Sequence, residues 1–486
     1  MKEILRLTKD IKRVSVIIEN FLIRVYAFTK LVLLTRLVVL LTITVFTIQG
    51  CVSTNKQKGQ LAFKTEQALM SDIAANAIGV NTHINYTGSV YDIHYSDIIK
   101  PRLSELGIRN IRDHFGNSSI NARFQELAHN YGIKLLLING DTGTGLTTTQ
   151  QEVKRLNNIN LSKPVVEYIE PANERDNGWK SPDGTINWDR LCTYMQDYYK
   201  TFKQDQSTAG IPLLGPSFAN TRTSANAFSA VCSNAYNLMD IGNTHAYSGL
   251  NPENPIAGGW GISLNEAILN YRKLCGGKPI IDSESGYKMS SGQTSHPAVS
   301  ERTAAKYSPR LVLTRLMKGV EKVYFYQLIN NSEDFGLLNI DGTPRLQYTA
   351  LKNFIQLMAD PGNIFTPGSL SYNLSGNVSN IHHLLFQKRD GRLFLLVWQG
   401  VNCSSEGTNN NNYTDINNPD RNITLNLRSK ASSIKLYRPT FNNLPDGNGT
   451  SAIATYKNTS SINIAVPDHI LVVEISKNKI RHAKNK

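Results

Sequence analysis

Residues 165–176 read VVEYIEPANERD, and the reading of this stretch decides where the chain places its chemistry. Val165 to Glu170 is rich in β-branched and aromatic residues, the composition of a short strand, and Pro171 ends it. Directly beyond, Asn173 and Glu174 set an amide beside a carboxylate where the strand opens into a polar loop. The same dipeptide recurs as Asn265-Glu266, but inside SLNEAILNYRKL, whose apolar spacing is that of an amphipathic helix. Only the first pair follows a strand.

Outward from this stretch, residues 77–360 alternate short apolar runs with helical patterns. The strand-like runs are AIGVN (77–81), NIRD (110–113), KLLLIN (134–139), VEYIE (166–170), LLGPS (213–217), DIGNTH (240–245), PIIDSE (279–284) and KVYFYQ (322–327). Between them, YSDIIKPRLSELG and INARFQELAHNYG repeat with a period near 3.6, and each ends in the Gly of a helix C-cap. Eight strands alternating with helices predict an α/β fold, a (β/α)8 TIM barrel over 77–360. The alternative is an open doubly wound sheet. That fold more often carries a Gly-rich phosphate loop after its first strand, and VNTHINYTG is not one. In a barrel the C-terminal strand ends carry the chemistry, which is where Glu174 falls.

From residue 361 the pattern changes. HHLLFQK and RLFLLVWQ flank Arg389-Asp390-Gly391, a hairpin signal. ITLNL, SSIKLYRP, SINIAV and HILVVEI follow with period-two alternation, and together they predict a C-terminal β-sandwich over 361–476. Residues 52–76 read as a lead-in to the barrel, and 477–486 as a basic tail.

The net charge of the 486-residue chain is +14. Residues 1–60 hold ten Lys/Arg against three Asp/Glu, and 477–486 hold five against none, which leaves only +2 for the body. Nucleic-acid binding needs a basic face on the folded domain, so no nucleic-acid partner is expected. The basic start precedes LVVLLTITVFTI, a largely apolar run of twelve residues that suits a signal-peptide core better than a membrane span. Ile48-Gln49-Gly50-Cys51 resembles a bacterial lipobox, in which Cys51 carries lipid and becomes the mature N-terminus. Residues 1–51 are then a lipoprotein signal, the body is exported, and a lipid anchor holds it on a membrane. An uncleaved signal anchor is the alternative. The spacing of Cys192, Cys232, Cys275 and Cys403 shows no disulfide framework, so buried free thiols are expected.

The second carboxylate is Glu284, which ends the seventh run in KPIIDSESGY. With it the sequence resembles clan A of the glycoside hydrolases, retaining TIM-barrel enzymes, and is similar to the family 39 and family 5 group. In that clan an Asn-Glu pair ends strand four and supplies the acid/base, and a Glu ending strand seven is the nucleophile. Glu174 and Glu284 match those positions. Arg112 in RNIRD, and His245 with Tyr247 in NTHAYS, match further site positions, and FGLLNIDGTPRLQYTALKNF (335–354) resembles the segment that closes such barrels. The chain departs from the clan at strand eight, where VYFYQLIN lacks the Trp found in many members. The resemblance implies an enzyme that hydrolyses a β-linked oligo- or polysaccharide by double displacement, with no organic cofactor, and the signal-like start implies that it is exported. A surface glycan-binding lipoprotein on an inactive barrel is the alternative.

The chemistry accounts for these residue types. Retaining hydrolysis needs two carboxyl groups on opposite sides of the anomeric carbon, one protonated and one ionised. Arg112 and the Tyr247 hydroxyl could hold Glu284 ionised and oriented. Asn173 could bind a sugar hydroxyl, and His245 could bind substrate or brace Glu174. Trp179, Trp260, His83 and Asn139, all near strand ends, are further candidate sugar contacts, and loop packing is the competing role for each. No His-x-His pair marks the first strand, so no metal is expected.

Overall fold

The computed structural model describes residues 62–140, 149–158, 165–247, 251–253, 264–289, 298–330, 333–405, 414–441 and 448–477. The expected signal segment, Cys51, Trp260 and all but the first residue of the basic tail lie outside the described residues.

Chain order begins with two strands that the sequence did not announce, β1 (Lys64–Gln67) and β2 (Leu69–Met70). The parallel strands follow: β3 (Ile78–Asn81), β4 (Asn110–His114), β5 (Lys134–Ile138), β6 (Val166–Glu170), β7 (Gly242–Thr244), β8 (Ile280–Ser285) and β9 (Val320–Phe325). They pair in the order β6-β5-β4-β3-β9-β8-β7. The run expected as the fifth strand makes only single bridges, Ile169 to Leu213 and Leu214 to Ile241, both parallel. These bridges fall between β6 and β7, the two edges of the sheet, so 213–214 closes the ring. Leu214 N–H donates to Ile169 (2.8 Å) and Gly215 N–H to Ile241 (2.8 Å). The architecture is therefore a TIM-barrel fold, nearly closed by seven strands and completed by a bridging segment. Leu136, Leu214, Ile241, Ile281 and Tyr324 fill its interior, with Tyr168 packed against them.

The predicted helix ends hold. The helix Ser118–Tyr131 starts under the Asn117 side chain, which accepts from Ile120 N–H, and stops at Gly132 with φ 67°. The helix Lys100–Leu106 stops at Gly107 with φ 76°. Asn265-Glu266 lies in the first turn of the helix Leu264–Leu274, as its context implied. Among the described residues no helix is long and apolar enough to cross a membrane.

The C-terminal region holds β10 (Ser369–Gly376), β11 (Ile381–Gln387), β12 (Leu393–Gln399), β13 (Arg421–Tyr437), β14 (Ala454–Val466) and β15 (Leu471–Lys477). ITLNL and SSIKLYRP, read as separate strands, belong to the single long β13, whose pairing with β14 shifts register between Asn426 and Ala431. Hydrogen bonds join β1, β2 and β10–β15 into one sheet, so the layers expected of a sandwich are not separate sheets. β1 pairs with β10 and β2 with β11. Part of the segment read as a lead-in, residues 64–70, is thus built into the second domain.

Barrel and second sheet share a core in which Phe394, Leu396, Trp398 and Val472 join barrel residues such as Leu311 and Phe354. Arg310, on the helix Glu301–Met317, crosses the junction fully buried. It pairs with Glu253 (Nε–Oε1 2.9 Å) and donates to the carbonyls of Val401 (3.0 Å) and Asp468 (2.9 Å).

Cys192 and Cys232 form a disulfide, with Cα atoms 5.5 Å apart, which corrects the expectation of four free thiols. The helix Trp188–Gln204 and the end of the helix Ser224–Val231 bring them together, a proximity that a spacing of 40 residues does not encode. Cys275 and Cys403 are buried free thiols as expected.

Candidate active site

Parallel strands bring the ends of β3, β4, β6, β7 and β8 to one rim, and the expected residues meet there around a cavity of about 820 Å³. Arg112, on β4 and almost fully buried, is the centre of the arrangement. Its Nη1 donates to Glu284 Oε1 (2.6 Å) and Asn81 Oδ1 (2.8 Å), and its Nη2 to Asn173 Oδ1 (2.6 Å). Nε and Nη2 also form a two-point pair with Glu170 (2.7 and 3.0 Å). Glu170 is fully buried. Burial alone would raise its pKa, but the guanidinium, with help from His245 and the Ser217 hydroxyl, holds it below the usual value. A delocalised planar cation can serve these four acceptors at once, which a lysine could not.

Glu174 stands just beyond β6 with φ 48°, in the left-handed region that non-glycine residues seldom occupy. Its N–H donates to Ser217 O (3.2 Å), which fixes the turn and aims the carboxylate across the cavity. Strain of this kind gathers at functional positions. His245, at the end of β7, holds Glu174 Oε1 through Nδ1 (2.8 Å) and Ser283 Oγ through Nε2 (3.0 Å). Burial would lower the His245 pKa, but the carboxylates of Glu284 and Glu174 outweigh it and raise the value to about 9. The ring is therefore an imidazolium at neutral pH. Tyr247 donates its hydroxyl to Glu284 Oε2 (3.2 Å), and burial followed by the Glu284 charge keeps that phenol protonated.

Glu174, His245 and Glu284 each offer a donor atom within 4.8 Å of the other two. These are the described residues close enough together to share a cation, but a protonated His245 and the Arg112 charge both oppose one. The two glutamates, from opposite strand ends, face each other over the same space. The arrangement can supply an acid and an ionised nucleophile to one bound molecule.

The structure also corrects two expectations. Trp179 is buried in an apolar cluster with Leu191 and Met195, sandwiched by Arg190 (4.1 Å from its ring) and set edge-on to Tyr194, so it cannot stack on a sugar. Asn139 is buried below the rim. Its amide donates to Tyr198 Oη (2.8 Å) and Glu152 O (3.2 Å), so it braces β5 and does not face the cavity. His83 does line the cavity, stacked on Tyr86 and edge-on to Tyr326, and burial pushes its pKa down to about 4, leaving it neutral.

Sequence reasoning missed Glu170, Asn81, Ser217 and Ser283, which hold Arg112, Glu174 and His245 in place. Glu170 carried a signal, a carboxylate ending a short strand, but a charged strand end is ordinarily solvated. Tyr326 lines the cavity where the run without Trp leaves β9.

The chain matches no family model and no curated protein. Among solved structures it is similar to an alpha-L-arabinofuranosidase from Thermotoga maritima, with a TM-score of 0.55 and 12% identity over 85% of this chain and 99% of that one. A family 51 alpha-L-arabinofuranosidase from Bifidobacterium longum gives a TM-score of 0.53 at 12% identity, covering 87% of this chain and all of that one (100%). A GH30 endoxylanase from Clostridium papyrosolvens C71 gives 0.51 at 12% identity, over 86% and 98%. At this identity the likeness is one of fold, and the fold is that of TIM-barrel glycoside hydrolases with a second domain.

Proposed function

We propose that this protein is a retaining glycoside hydrolase acting on a β-linked glycan. The observation that carries the reading is the pair of glutamates at the ends of β6 and β8, with carboxylate oxygens within 4.8 Å across one cavity. Retaining enzymes hold their carboxyl groups about 5–5.5 Å apart, whereas inverting enzymes need roughly 6.5–9.5 Å to admit a water. The spacing supports direct attack by one carboxylate.

In this mechanism Glu284, ionised and held by Arg112 and Tyr247, attacks the anomeric carbon. The glycosidic C–O bond breaks as Glu174 gives its proton to the leaving oxygen, and a glycosyl ester forms on Glu284. Water then attacks the same carbon and passes a proton to the Glu174 carboxylate. The ester C–O bond breaks and Glu284 is restored. His245 Nδ1, 2.8 Å from Glu174 Oε1, orients that carboxyl toward the leaving oxygen. Asn173, fixed by Arg112, presents its amide N–H₂ to the sugar.

The test is hydrolysis by the purified protein of a polysaccharide and aryl glycoside panel headed by xylan and arabinofuranosides, the substrate types named for the fold neighbours. Proton NMR in the first minutes is expected to show the product with the substrate's anomeric configuration. First appearance of the opposite anomer would remove Glu284 as nucleophile. Loss of all hydrolysis with glycan binding retained would favour the non-catalytic binding protein.

We extend the proposal to export with a lipid anchor at Cys51. The Cys192–Cys232 disulfide supports an oxidising compartment. Cys51→Ala is expected to release the protein from membranes, and unchanged membrane association would favour the uncleaved anchor.

A further inference from the structure

We propose that the cavity binds, on the Glu174 side, a leaving-group sugar that carries an anionic substituent, with Lys180 and Arg222 as its receptors. This rests on the glycosidase reading and names the substrate class for it.

Both cations line the same cavity as the two glutamates. Lys180 is exposed at the cavity mouth, whereas the buried cations Arg112, Lys306, Arg310 and Arg315 each face a carboxylate. Lys180 Nζ donates to the backbone carbonyl of Asp176 (2.7 Å) and has no carboxylate partner among the described residues. Arg222 is exposed, and its guanidinium has no partner among them.

Asp176 also borders the cavity, but its oxygens are taken. They accept from Ala219 N–H (3.0 Å), Asn220 N–H (3.0 Å) and the Ser224 hydroxyl (2.8 Å). Asp176 thereby straps the loop after β6, which carries Glu174 and Lys180, to the loop after 213–217, which carries Arg222. The two cations sit on one braced wall rather than on two independent loops.

The chemistry says which sugar meets that wall. Glu174 must reach the glycosidic oxygen, so the departing sugar lies over the loops that follow Glu174. The facing wall is of the opposite character: Glu333, hydrogen-bonded to Tyr326, would repel an anion there. A carboxylate or sulfate therefore fits only on the Glu174 side, where a guanidinium fork can take it at two points.

The test compares the full-length protein with the double variant Lys180→Met/Arg222→Met. The probes are uronate-bearing oligosaccharides and their carboxyl-reduced counterparts, one glycan in sulfated and desulfated forms, and a neutral aryl glycoside. The variant is expected to lose about tenfold or more in kcat/KM on the anionic probes, mainly through KM, as removal of charged hydrogen bonds does. Its rate on the aryl glycoside is expected to stay unchanged. Calorimetric titration of the same oligosaccharides into Glu284→Gln protein, with and without the double change, reads the subsite without turnover. Preference for uronate alone assigns a carboxylate, and preference for the sulfated form assigns a sulfate ester. Equal affinity for anionic and neutralised forms overturns the subsite even if the enzyme cleaves glycans. Charge-selective binding with no cleavage of any probe upholds the subsite and overturns the glycosidase reading.

Discussion

At the scale of single residues, the site is a set of charges that define one another. Glu174→Gln is expected to lose roughly 10²–10⁴-fold in rate on glycans with poor leaving groups, the usual worth of a general acid. Activated aryl glycosides need little protonation and should lose far less in the glycosylation step, so equal losses on both would mean that Glu174 is not the acid. His245 makes a second prediction, through pH. Its folded-state pKa of about 9 lies above the ordinary 6.5, so the folded protein holds a proton that the unfolded chain releases. The stabilisation is complete below pH 6.5, is lost as pH rises through about 9, and is on the order of 3 kcal/mol. Denaturant melts of wild type and His245→Asn across that window should show the loss in wild type alone, and equal slopes would remove the assignment. Glu174, Glu284, Arg112, His245 and Tyr247 were legible because each lies in or a few residues beyond a strand-like run, at a position that matches the resemblance to clan A. Ser217 and Ser283 were not, because a hydroxyl reads the same whether it faces solvent or a buried imidazolium. Trp179 and Asn139 misled for a related reason. Nearness to a strand end does not say which way a side chain turns.

At the scale of elements, periodicity served well wherever one face is buried and failed wherever pairing is partial. β3 to β6 and β8 to β9 fall within two residues of their expected spans, because barrel strands are apolar on both faces and helices separate them. Residues 213–217 read as a strand but form only two bridges, since Pro212 and Pro216 lack the N–H groups that a ladder needs. β10, with the polar sequence SLSYNLSG, gave no apolar run to see, yet it pairs with β1 and β13 through its backbone. The disulfide was invisible for a third reason, since it depends on how two helices lie against each other. Linking residues 40 apart, it restricts the unfolded chain, and its removal is expected to cost about 3–4 kcal/mol. Equilibrium unfolding of Cys192→Ser/Cys232→Ser against wild type measures this, with the reduced wild type as control. A cost near zero would mean that the helix Trp188–Gln204 is held by its apolar face alone.

At the scale of the whole molecule, the sequence marks a boundary near residue 360 and the structure runs across it. The helix Leu346–Met358 ends just before the change of sequence pattern at residue 361, while β1 and β2 stand before the barrel in sequence and pair with strands that follow it. The second sheet thus takes strands from both sides of the barrel, and Phe63 onward is one compact unit. Ending the chain at residue 360 would strip β1 of β10 and β2 of β11. It would also uncover the barrel residues that pack on Phe394, Leu396, Trp398 and Val472. Glu253 would keep its charge while losing the Trp398 Nε1–H donor (2.7 Å), and Arg310 would lose two of its carbonyl acceptors. Breaking a buried ionic network in this way typically costs about 3–5 kcal/mol, a large part of the stability of an ordinary domain. The expected outcome is a single cooperative calorimetric transition for the intact protein and no soluble folded barrel from residues 62–360. Two separate transitions, or a truncated barrel that unfolds cooperatively with its own near-ultraviolet dichroism, would show that the second sheet is an attachment and not a structural half of the protein.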